Sequence, residues 1–163
     1  MNRRLAFALL CASGLLLGQN QKKYSGPRPE KADMPYLLHA SNLVPTEVGE
    51  ASEEKRKDEV ANIVKGASSA ARTPLAEPIF LLRSEKLSPD KVELYAMSVK
   101  NGNREVVIPT NPKKAKNAPK PLRLSMTRLE EGLYRLEANQ WLDNGEYCLS
   151  PSGTQQVFCF QVY

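Results

Sequence analysis

Apolar and polar side chains alternate with a period of two through much of the second half of the chain. Leu122, Leu124 and Met126 alternate with Arg123, Ser125 and Thr127, and a second apolar-rich stretch, Leu133 to Glu137, follows the turn sequence Glu130-Glu131-Gly132. Such alternation buries one face of a strand and wets the other, and a glycine free to take positive φ suits a three-residue hairpin loop. Further upstream, Val92 to Lys100 and Asn103 to Ile108 flank Asn101-Gly102, the pair of residues that a type I′ turn demands. Two-residue closure sets Val99 opposite Arg104, Met97 opposite Val106 and Tyr95 opposite Ile108, with Ser98, Lys100, Asn103 and Glu105 on the other face. A third hairpin, centred between Gly153 and Thr154, gives Tyr147 and Leu149 a common face with Phe158, Phe160 and Val162.

Shorter apolar runs at Tyr36 to Ala40 and Ile79 to Arg83 read as strands as well. Ala51 to Lys65 reads two ways. Val60, Ile63 and Val64 have helical spacing, whereas Glu59 to Lys65 also fits a β-branched strand stopped by Gly66; the β-rich surroundings favour the strand. Residues 109–121 form a basic Pro/Lys-rich loop, in which TNPKKAKNAPKP has no large apolar side chain to bury. Short strands with no convincing helix between them predict an all-β fold, an antiparallel Greek-key β-sandwich.

One local motif sharpens that expectation. Leu142-Asp143-Asn144-Gly145-Glu146-Tyr147 resembles the Leu-x-x-Gly-x-Tyr tyrosine corner of immunoglobulin-like and transthyretin-like sandwiches. The resemblance implies structural roles for Leu142, Gly145 and Tyr147, with the Tyr147 hydroxyl tied back to the backbone. Asn144 stands where proline is common, and immunoglobulin Cys-Trp-Cys spacing is absent, so the likeness is to the architecture alone. The chain as a whole resembles exported bacterial proteins of this sandwich type, which implies a compartment but no activity.

The N-terminus carries that export reading independently. Arg3 and Arg4 precede the apolar run Leu5 to Leu17, and no acidic residue appears before Glu30. Thirteen residues are too few for a permanent span, which needs about 20. Residues 1–18 are therefore expected to be a signal peptide cut after Gly18, residues 19–34 a disordered leader with Pro27 and Pro29, and residues 35–163 a single β domain, periplasmic or secreted. Loss of Arg3 and Arg4 leaves 21 basic against 18 acidic residues, so the net charge falls from +5 to +3. Most of that surplus lies in Lys113, Lys114, Lys116, Lys120, Arg123 and Arg128.

Export also changes the reading of the cysteines. Cys148 and Cys159 remain after the signal is removed, and the third hairpin sets them directly opposite each other, on the face away from Phe158 and Phe160 where an oxidant can reach them. A disulfide is expected there. Other candidate chemistry is thin. Gly66-Ala67-Ser68-Ser69-Ala70 mimics a nucleophile elbow, but Pro74 blocks the following helix and the one histidine, His39, precedes the serines. Ser88-Pro89-Asp90-Lys91 matches Ser-x-x-Lys without its companion motifs. A single histidine leaves metal sites short of ligands, so no metal or cofactor is expected, and Asp143-Asn144-Gly145 reads first as a turn. Adjacent Glu130 and Glu131 point apart in a hairpin loop, which does not suit acid catalysis.

The expected protein is thus an exported, non-enzymatic binding or structural module of the cell envelope, recognising an envelope protein or polysaccharide through its loops. The rivals are a polyanion binder working through the basic stretch, without specific nucleic-acid recognition since no aromatic side chain is interleaved there, and a secreted enzyme or inhibitor whose site the sequence does not advertise.

Overall fold

The computed structural model describes residues 23–111, 116 and 118–163. The expected signal peptide 1–18, the first residues of the leader, and Lys113 and Lys114 lie outside the described residues. The first six strands are β1 (Pro35–His39), β2 (Asn42–Pro45), β3 (Glu47–Arg56), β4 (Glu59–Lys65), β5 (Arg72–Thr73) and β6 (Ile79–Arg83). After a 3-10 turn at Pro89–Lys91 come β7 (Val92–Lys100), β8 (Asn103–Pro109), β9 (Leu124–Glu130), β10 (Leu133–Ala138), β11 (Gly145–Pro151) and β12 (Gln156–Val162). Among the described residues there is no α-helix, and apart from the short contact of β5 with β12 and an isolated Gly66–Asn103 bridge, both parallel, every pairing is antiparallel.

Two sheets result. One is open, in the order β2-β1-β6-β10-β9. The other runs β11-β7-β8-β4-β3-β12, and because β11 also pairs with β12 it closes into a six-stranded barrel. A sandwich of two open sheets is the simpler expectation from strand count. The barrel forms instead because β12 uses both edges, taking β11 on one side and β3 on the other. Gly49 sits at that seam, opposite Val157, where a Cβ would come within 3.0 Å of a Val64 methyl. A side chain there would hold the strands apart.

The open sheet packs on the outside of the barrel. Leu37, Phe80, Leu82 and Leu136 meet Leu94, Leu149, Phe158 and Phe160 in one buried cluster. Phe80 and Phe160 meet edge to face, 5.1 Å between ring centroids, joining the two layers. Burying each such ring contributes roughly 1.5–3 kcal/mol. Since β11 and β12 turn one face to this layer and the other into the barrel, both are buried nearly throughout.

The predicted hairpins form in register. Asn101 and Gly102 take φ of 51° and 75°, as a type I′ turn requires, and Gly132 takes 70°. Cys148 faces Cys159 and Tyr147 faces Phe160. The strand reading of 59–65 holds, and the polar stretch before it is strand too, the ten-residue β3. One expected ladder stops short. β7 and β8 pair only over Ser98–Lys100 with Asn103–Glu105, after which β7 turns to β11 and β8 stays with β4. Met97 and Val106, and Tyr95 and Ile108, are therefore not ladder partners.

From Lys23 the stretch read as a disordered leader lies along the open sheet. Arg28 forms a two-pronged ion pair with Glu130, and Arg83 donates to the Glu30 carbonyl. Asp33, at φ 57°, accepts the backbone N–H groups of Glu85, Lys86 and Leu87 on one oxygen. Fixed partners of this kind are what its composition does not reveal.

Candidate functional site in the barrel

Strand alternation sends every second side chain of the six strands inward. At one end those side chains are charged. Arg104 of β8 is fully buried and donates to the carbonyls of Gly66 and Lys65, both at 2.9 Å, to Glu47 Oε1 at 2.5 Å and to the Ser69 hydroxyl. Ser69 in turn donates its hydroxyl and its N–H to Glu146 Oε2, at 2.8 and 3.0 Å, while Glu47 Oε2 accepts the N–H of Ala70. Glu146 Oε1 is buried without a hydrogen-bond partner. Gly66-Ala67-Ser68-Ser69-Ala70 is thereby drawn across the barrel end as a stopper.

The other end is open. Where β7 and β8 part, Tyr95 and Met97 on one side and Val106 and Ile108 on the other line a cavity of about 220 Å³. Val64, Val157 and Cys148 form its buried floor. Glu53 of β3 and Glu93 of β7 stand at its exposed rim with Asn62 between apolar neighbours. The Tyr95 hydroxyl donates to Glu93 Oε2 at 2.7 Å. Burial first, and then the bond to the Glu93 carboxylate, push the Tyr95 phenol up to about 12.

The Cys148–Cys159 disulfide is formed between β11 and β12. It does lie on the face away from Phe158 and Phe160, but that face is the inside of the barrel, so both cysteines are buried instead of open to an oxidant. The tyrosine corner has the expected geometry, with buried Tyr147 donating to the Asp143 carbonyl at 2.8 Å and Leu142 buried beside it. Gly145 does not need positive φ, and a Cβ there would only touch the Tyr147 ring at 3.7 Å.

Lys116, Lys120, Arg123 and Arg128 are exposed, and β9 separates Arg123 from Arg128 by about 17 Å of strand. Arg123 is instead joined to the β10–β11 connection, giving its N–H to Gln140 and its carbonyl to the N–H of Asn139. That places it close to Trp141, which is 75% exposed. His39 is half-buried and bonded to the Thr73 hydroxyl at 2.9 Å, remote in its contacts from Ser68 and Ser69. Ser88 and Lys91 bracket the 3-10 turn. Among the described residues no three His, Cys, Asp or Glu side chains are placed to share a metal ion.

Arg104, Glu146 and Glu93 are the residues that the sequence does not single out. The one signal was Arg104, which two-residue closure puts on the apolar face of its hairpin. Comparison of the chain with protein-family models, with curated proteins and with solved structures finds no match, so the cavity and its stopper define the site on their own geometry.

Proposed function

We propose that this chain is an exported, non-enzymatic binding module that takes a small ligand into the open end of its barrel. The observation that carries the reading is the cavity itself. All six barrel strands line it, its floor of Val64, Cys148 and Val157 is apolar, and polar side chains, Glu53, Asn62, Glu93, Ser150 and Gln155 among them, make up about half of the lining. At about 220 Å³ it exceeds the roughly 150 Å³ apolar cavity that accepts a benzene ring. The Cys148–Cys159 bond is compatible with export, and the Arg3-Arg4 charge before Leu5 to Leu17 supports it. An immunoglobulin-like sandwich remains our proposal for how the open sheet packs on the barrel wall, supported by the tyrosine corner.

A thermal-shift screen of small amphiphiles, run in parallel on the Ile108→Trp variant, tests the cavity. Ile108 is 40% exposed at the lip, so an indole there narrows the entrance without entering the core. Compounds that raise the melting temperature of the unmodified protein alone support the reading; compounds acting equally on both, or none acting at all, refute it. Mass spectrometry of the exported form should begin near Gln19.

A second reading, polyanion binding, draws on exposed Lys116, Lys120 and Arg123, the last bonded to the connection that carries the exposed Trp141. It requires an affinity for heparin that falls steeply with salt and drops further in Trp141→Ala.

A further inference from the structure

We infer that the barrel cavity selects small amphipathic cations, an apolar body carrying an ammonium group, over neutral and anionic molecules of the same shape. This rests on the cavity reading above and adds the class of ligand to it.

Among the described residues the charges of the lining are all of one sign: Glu53 and Glu93 alone carry formal charge at pH 7, and both stand at the rim. Among the described residues neither has a cation within 4 Å, whereas the other carboxylates facing the barrel axis do: Glu47 and Glu146 both lie by Arg104. Lys116 and Lys120, the described lysines of the 109–121 loop, do not line the cavity. A cation at the rim therefore meets two carboxylates that no described residue pairs, while an anion meets the same two as repulsion.

The rest of the lining sets the shape of the ligand. Met97, Val106 and Val157 offer no hydrogen bond to a polar body, and the disulfide below them closes the floor. The slot between β7 and β8 admits the apolar part, because no ladder bonds cross it beyond Ser98 and Glu105. The Tyr95 ring adds a π face at the level of Glu93, and its hydroxyl already donates to Glu93 Oε2, which holds that carboxylate in place. A head group with N–H donors thus finds the carboxylates as acceptors, and an alcohol finds the same groups with no charge to gain.

Phenethylammonium, 2-phenylethanol and phenylacetate share one body and differ in head-group charge. Titrated calorimetrically into the disulfide-bonded protein at pH 7, the ammonium is expected to bind at least about tenfold more tightly than the alcohol, and phenylacetate not at all. Glu93→Gln and Glu53→Gln, both at exposed positions, should each weaken the ammonium by about three- to tenfold and leave the alcohol unchanged. Raised salt should weaken the ammonium selectively. If the alcohol binds as well as the ammonium, and both Gln variants bind as the parent does, the cavity reading stands and the cation inference fails. Tighter binding of phenylacetate overturns the inference outright. If none of the three binds, and benzene does not either, the cavity reading itself falls.

Discussion

The two ends of the barrel are made by the same six strands and have opposite chemistry. At the stoppered end, Arg104 is surrounded by acceptors from three segments, and its neighbours Glu47, Ser69 and Glu146 are bound to one another or to backbone. At the open end, Glu53 and Glu93 face the same axis with no cation to meet among the described residues. The difference begins in pairing. β7 and β8 stay together only around their tight turn, so side chains next to the turn are pressed into contact while those further along are spread apart. Polar groups forced together must satisfy each other, whereas polar groups held apart stay free for something else.

The stoppered end should be the costliest to disturb. Arg104→Met leaves Glu146 buried with its cation removed and should destabilise the protein by about 3–5 kcal/mol in urea unfolding. Adding Glu146→Gln to that variant should restore part of the loss, because the stranded group is then neutral. Equal stability of Arg104→Met and the parent would mean that the two ends do not differ as described.

Between the ends lies the disulfide. Its loss in Cys148→Ala/Cys159→Ala should cost about 2–3 kcal/mol, given a separation of 11 residues. Because both sulfurs are buried, a mild reductant should act on the folded protein far more slowly than on the protein in urea, which thiol titration over time will reveal.

Tyr147→Phe removes one hydrogen bond on the other side of β11, away from both barrel ends, and should cost about 0.5–1.5 kcal/mol by the same unfolding measurement. It calibrates what a single satisfied polar contact contributes outside the barrel interior.

The smallest effect belongs to the rim. The Tyr95 phenol, raised to about 12 by burial and by Glu93, ionises later in the folded than in the unfolded chain. Its contribution to stability is therefore complete below about pH 10 and lost as pH climbs from there to about 12. Ultraviolet titration should show Tyr95 ionising late, together with Tyr147, which burial and then Asp143 also raise. In Glu93→Gln the Tyr95 step should move partway back towards 10, since burial, the larger cause, remains, with overall stability within about 0.5 kcal/mol of the parent.

The local half of this structure was legible in the sequence and the global half was not. Asn101-Gly102, Gly132 and the symmetry of the last hairpin about Gly153 are short-range signals, and each turn formed where its residues ask for it. Barrel closure depends on β3, whose sequence EVGEASEEKR has no apolar face. Its inward positions include Gly49, Ala51 and Glu53, which suit a crowded or wet interior and look like loop when read alone. Glu146 illustrates the same blindness, since an acid alternating with Tyr147 is indistinguishable from a solvent-facing one until the strand beyond it is known. Lys116, Lys120, Arg123 and Arg128 show the converse: close in sequence, they are laid out along a loop and an extended strand.

The seam between β3 and β12 joins Val48 to Phe158, 110 positions apart. A ring of strands differs from a sheet in having no first or last member, and it becomes a sheet again when any one seam opens. During folding, and at every local opening, this seam therefore turns a molecule without free edges in its barrel into one with two, each able to pair with another copy. The edge that β3 then exposes, Glu47 to Glu50, carries two carboxylates and no cation, so two such edges repel. The acidity of β3, which in the closed ring serves the Arg104 cluster and the cavity rim, doubles as a safeguard against aggregation at the moment when the ring is broken.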